Sequence, residues 1–180
     1  MKKMMMVAIL LIATVFSFGQ AKQVVNKTTV TSSNPIKMIL DKDEYSDDVF
    51  LYPNYKLVIT RDKKKGVSIR PSFTKKDGRW IYDGLIVKSF LNSGCNENDE
   101  LYFLFDDGSK VSYKSWQEFN CDNTSYFDES QNLTPLKKRI KGIKFVNGRT
   151  FESYEMTLTD MNDKNYFINI GKALQEFNNK

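Results

Sequence analysis

From residue 49 onward, short apolar runs alternate with polar turns. Inside most runs apolar and polar positions trade places every second residue, as in a strand with one buried face. Residues 49–52 are apolar and stop at Pro53-Asn54. A strand is predicted over 55–60 and its return over 66–70, joined by the charged turn 61–65. Another turn falls at 75–78. Residues 79–90 then form a long β-branched and aromatic stretch whose interior Gly84 predicts a bulge. Ahead of all this, residues 22–48 are polar and patchy, which predicts a mobile arm carrying one edge strand at 36–40.

The segment around Gly108 specifies its own register. Leu101, Phe103 and Phe105 run into Asp106-Asp107-Gly108, and Val111 and Tyr113 follow. A two-residue turn sets Phe103 opposite Ser112, whereas a three-residue turn with Gly108 left-handed sets it opposite Val111. Only the second keeps Leu101, Phe103, Phe105, Val111 and Tyr113 on one face, with Lys110 and Ser112 on the other, so it is the predicted register. The spacing recurs further on: Ile143, Phe145, Gly148 and Phe151 match Phe103, Phe105, Gly108 and Val111. A second hairpin of the same design is therefore predicted in the same antiparallel sheet.

At the C-terminus the period changes from two to that of a helix. A helix starting near Asn162-Asp163 puts Phe167, Ile170, Leu174 and Phe177 on one stripe. Thr134-Pro135 predicts one short helical turn. These elements together predict an α+β fold, mainly antiparallel β, as a sheet, sandwich or partial barrel built of hairpins with a C-terminal α-helix packed on it.

The N-terminus has a different pattern. Lys2 and Lys3 precede an apolar run over 4–16, and small residues follow at Ser17, Gly19 and Ala21. That order is a signal peptide over 1–21, of bacterial type, leaving an arm over 22–48 and one β-rich domain over 49–180. The run is shorter than the roughly 20 residues a spanning helix needs, so cleavage with no stable membrane span is expected. The chain is thus expected to be exported, to the periplasm, outer surface or medium. Its net charge of +5 falls to about +3 without Lys2 and Lys3, too little to argue for nucleic acid.

Composition narrows the chemistry further. The 180 residues contain no histidine, which removes the usual general base, the Ser-His and Cys-His pairs and the commonest transition-metal ligand. The acidic run 41–48 lacks the glycine and closing glutamate of a calcium loop. No metal, cofactor or catalytic set is predicted. The chemistry that survives is a carboxylate pair such as Asp106 with Asp107, or a Ser-Lys dyad such as Ser112 with Lys110 or Lys114.

Two cysteines in an exported chain predict a disulfide, Cys95 to Cys121. The hairpin register supports it: opposed residues sum to 214 and the cysteines to 216, one pleat step apart at the open end if a bulge intervenes.

With no catalytic set, the aromatics are the remaining candidates. Trp80, Tyr82 and Trp116 are the predicted contact surface, with Trp80 the better candidate for exposure and Trp116 near the disulfide. The function expected is an exported, non-catalytic binding or accessory module whose partner is an envelope protein or a surface polysaccharide. The alternative is a small carboxylate-based hydrolase acting on an envelope or extracellular polymer.

Overall fold

The computed structural model describes residues 26–30, 36–46, 48–61, 65–90, 95–116, 119–128 and 132–180. The predicted leader at 1–21 and, of the predicted turn at 61–65, Asp62, Lys63 and Lys64 lie outside the described residues.

In chain order the strands are β1 (Asn26–Val30), β2 (Met38–Lys42), β3 (Val49–Pro53), β4 (Leu57–Arg61), β5 (Lys65–Lys76), β6 (Arg79–Ser89), β7 (Glu100–Phe105), β8 (Lys110–Lys114), β9 (Thr124–Asp128), β10 (Ile140–Val146) and β11 (Ser153–Thr157). Two helices, α1 (Met161–Lys164) and α2 (Tyr166–Asn178), close the chain. Three antiparallel sheets result, with orders β1-β2-β3, β4-β5-β6-β9 and β11-β10-β7-β8. The fold is α+β with a C-terminal helix on the sheet, as the hydrophobic pattern predicts.

The apolar faces of all three sheets and of α2 meet in one core. Ile36, Met38 and Leu51 belong to it, and β2 pairs with β3 across residue 49, so the segment before that position contributes core side chains. The acidic run between β2 and β3 is a turn, in which Asp43 Oδ1 accepts from the backbone N–H of Tyr45 (2.7 Å) and Ser46 (3.2 Å). Helix α2 buries Tyr166, Phe167, Ile170, Ala173 and Leu174. Phe167 meets Phe103 edge-on at 5.6 Å, and Tyr166 packs on Tyr55 and donates its hydroxyl to the Tyr55 carbonyl. A 3-10 turn at Thr134–Leu136 sits where Thr134-Pro135 places it and packs on α2.

Gly108 has φ +82°, and Leu101 opposes Tyr113 as Phe103 opposes Val111, which is the three-residue register. The second hairpin departs from its expected design. Ile143 pairs with Met156 and Phe145 with Tyr154, so β11 begins at Ser153, beyond Phe151. Phe151 is 79% exposed and itself left-handed at φ +58°, while Gly148 is not. Gly148 is needed for another reason: a Cβ there would lie 2.2 Å from the Glu97 carbonyl oxygen and 2.3 Å from that of Asn98. Both hairpins do share one sheet, with Ile143 opposite Phe103 and Phe145 opposite Leu101.

Gly84 marks a bulge, as predicted. Ser72 pairs with Gly84 and Phe73 with Tyr82, leaving Asp83 as the extra residue. The bulge changes which face of β6 is buried: Trp80 and Tyr82 before it, Leu85, Val87 and Ser89 after it. Gly84 also lets β9 approach, since a Cβ there would stand 2.2 Å from the Phe127 carbonyl oxygen.

Candidate functional site

The Cys95–Cys121 disulfide is formed, and Asn96 and Asn120 beside it exchange both backbone hydrogen bonds, at 2.7 and 3.0 Å. At that bridge the pairing has slipped by two residues from the register of Leu101 and Tyr113, which sets the two cysteines opposite each other. Just inside the disulfide lies the fully buried side chain of Asp99. Its Oδ2 accepts from Asn96 Nδ2 and from the Ser125 hydroxyl, and its Oδ1 accepts from the backbone N–H of Gly148 at 2.9 Å. Asn147 donates Nδ2 to the Cys95 carbonyl (3.0 Å), and its Oδ1 accepts from the backbone N–H of Arg149 and Thr150. Three chain segments are joined by this network, and each polar group that it satisfies would otherwise be a buried cost.

The same network positions two aromatic rings. The Asp99 carbonyl accepts from the Ser115 N–H at 2.8 Å, and the next residue, Trp116, donates its N–H to the Tyr126 carbonyl at 3.2 Å. Tyr126 follows Ser125, the Asp99 partner, so both rings hang from the Asp99 cluster. Trp116 and Tyr126 lie with centroids 5.9 Å apart, and Trp116 is 67% exposed. They line an open cleft of about 430 Å³ together with Ser72, Asp83 and Asp128. Asp83 is there because it is the extra residue of the bulge, and Asp128 because it opposes Gly84. The cleft therefore offers an aromatic face, a hydroxyl and two exposed carboxyl groups.

Trp80 and Tyr82 are elsewhere, which corrects the expected contact surface. Trp80 is 8% exposed, buried under α2, and Asn178 clamps its backbone: Trp80 N–H donates to Asn178 Oδ1 (3.0 Å) and Asn178 Nδ2 to the Trp80 carbonyl (2.7 Å). The exposed indole is Trp116. The physical reason lies in the bulge, because before it the even-numbered side chains of β6 face the core. Trp80 and Tyr82 instead line a separate groove against α2.

The carboxyl pair picked from sequence is held in ion pairs. Lys138 Nζ lies 2.7 Å from Asp107 Oδ2, and with the Ser109 hydroxyl and N–H it holds that carboxyl well below the usual carboxylate range. Asp106 lies 3.8 Å from Arg139 and 3.6 Å from Lys164. Ser112, Lys110 and Lys114 are all exposed on one face of β8. Among the described residues no three metal-ligating side chains of His, Cys, Asp or Glu converge, and no helix is long and apolar enough to cross a membrane.

Sequence reasoning named Trp116 but missed Asp83, Asp128 and Asp99. The Gly84 signal carried Asp83 with it, since a bulge turns out its extra residue. Nothing in sequence links Asp128 to the cleft.

Comparison with protein-family models, curated proteins and solved structures finds no match to this chain.

Proposed function

We propose that this chain is an exported, non-catalytic binding module of the bacterial envelope or its surroundings, and that the Trp116 cleft is its contact surface for a surface polysaccharide. The observation that carries the proposal is Trp116 itself, a two-thirds-exposed indole held over a cleft that also contains Tyr126, Asp83 and Asp128. Trp116 and Tyr126 together present aromatic surface inside a cleft, where a ligand can cover it. An aromatic face suits the C–H face of a sugar ring, and flanking carboxyl groups accept charge-assisted hydrogen bonds from its hydroxyl or amino groups. Export is supported by the apolar run at 4–16 and by the disulfide, which persists in oxidising compartments. The test is retention on neutral and amine-bearing glycans of the cell surface. Binding lost by at least tenfold in Trp116→Ala supports the proposal; no glycan retained, or equal retention by the variant, overturns it.

A second reading is favoured by one feature, the presence of Asp83 and Asp128 in the same cleft. Two carboxyl groups flanking a sugar are the minimum for glycoside hydrolysis. Against it, both are exposed on an open surface. Release of new reducing ends by the native protein, abolished in both Asp83→Asn and Asp128→Asn, would establish that reading in place of the first.

A further inference from the structure

A second groove, of different chemistry, lies between β6 and α2. Its volume is about 520 Å³, within the range of roughly 300–1,000 Å³ that holds a small organic molecule. The floor is apolar and aromatic, formed by Trp80, Tyr82 and Leu174, and Leu133 and Ile81 stand partly exposed along its edges. The Asn178 clamp on the Trp80 backbone and the packing of the 3-10 turn on α2 set the walls in place.

Charge distinguishes this groove from ordinary surface relief. Lys137 and Lys172 both line it, the first beside the 3-10 turn and the second on α2, two elements that pack on each other. Among the described residues neither has an acidic partner, and no carboxyl group lines the groove. Lys138, one residue on, is by contrast paired with Asp107. An apolar trough with unpaired cations at its rim is complementary to an apolar chain ending in an anion.

We infer that the groove binds a single-chain anionic amphiphile, such as a free long-chain carboxylate, as a monomer. The chain lies over Trp80 and Tyr82, and the carboxylate meets Lys137 and Lys172. A bilayer is the less suitable source of this chemistry, because the site is an indented trough of limited volume flanked by two cations and not a broad basic face. The inference is independent of the Trp116 cleft.

The test uses laurate below its micelle concentration, added to full-length mature protein carrying Trp116→Phe so that Trp80 is the sole indole reporter. Trp80 emission is expected to change saturably. Octanoate should bind on the order of a hundredfold more weakly, since each buried methylene is worth about fourfold. Dodecyltrimethylammonium, with the same chain and the opposite charge, and the double variant Lys137→Gln/Lys172→Gln with laurate should each bind at least about tenfold more weakly. Both lysines are surface residues, and thermal unfolding of the double variant checks that it folds. No saturable change with laurate up to millimolar concentration overturns the inference. So does equal binding of the cationic amphiphile, no loss in the double variant, or binding to phosphatidylglycerol vesicles without binding to monomeric laurate.

Discussion

The loops that follow Phe105 and Phe145 share a spacing, yet their glycines serve opposite purposes. Gly108 sits at φ +82° with nothing within 4 Å of where a Cβ would be, so it is there for its backbone conformation. Gly148 has no left-handed φ, and a Cβ would collide with the backbone of residues 97 and 98, so it is there for the space it leaves. The left-handed residue of the second loop is Phe151, a bulky side chain in a conformation that costs of order 1–2 kcal/mol. What holds it there is a set of contacts made elsewhere: Asn147 accepts within the loop and bonds the Cys95 carbonyl, and Lys65 pairs with Glu152 at 3.1 Å. The first loop is specified locally, and the second by the disulfide end of the molecule docking onto it.

That contrast can be broken by substitution. The largest effect belongs to Gly148→Ala, which drives a methyl into two backbone carbonyls; a loss of about 4 kcal/mol is expected in urea unfolding. A cost below about 1 kcal/mol would mean that the 97–98 backbone does not press on this loop. Asp99→Ala should cost about 3 kcal/mol, because it strands the buried Asn96, Ser125 and Gly148 donors together. It should also disorder Trp116, read as increased iodide quenching of that indole. Gly108→Ala is sharper in meaning and smaller in size, about 1 kcal/mol, from the left-handed backbone alone. A cost as large as that of Gly148→Ala would erase the distinction between the two loops. Last, Phe151→Gly should raise stability by about 0.5 kcal/mol, since it relieves backbone strain at an exposed position. A destabilisation above 1 kcal/mol would show that the exposed ring packs on something.

The same division explains what was legible in sequence. The β7–β8 hairpin, the bulge at Gly84, the short turn at Pro135 and the stripe of α2 depend on neighbours in sequence, and their patterns were readable. The disulfide was readable because hairpin register carried it to within one pleat step. The β10–β11 loop was misread because Asn147-Gly148 resembles a local turn while its real partners, Cys95 and Asp99, come from roughly fifty residues away. Burial of the two tryptophans was reversed for a related reason. One extra residue at Asp83 changes the facing of the whole strand, so Trp80 goes under α2. Trp116 ends outside because a buried Asp99 fixes the chain just before it. The cleft itself joins strands β5, β6 and β9 and the segment after β8, and no single stretch of sequence contains it.

The most direct test of the Trp116 surface is a nitrogen-15 NMR titration with soluble fragments of the cell-surface polysaccharide, watching the two indole N–H signals. The account predicts that the Trp116 signal shifts saturably while that of Trp80, buried beneath α2, stays in place. A Trp116 signal that does not move across glycan fragments of neutral and amine-bearing type, or two signals that move together, would contradict it.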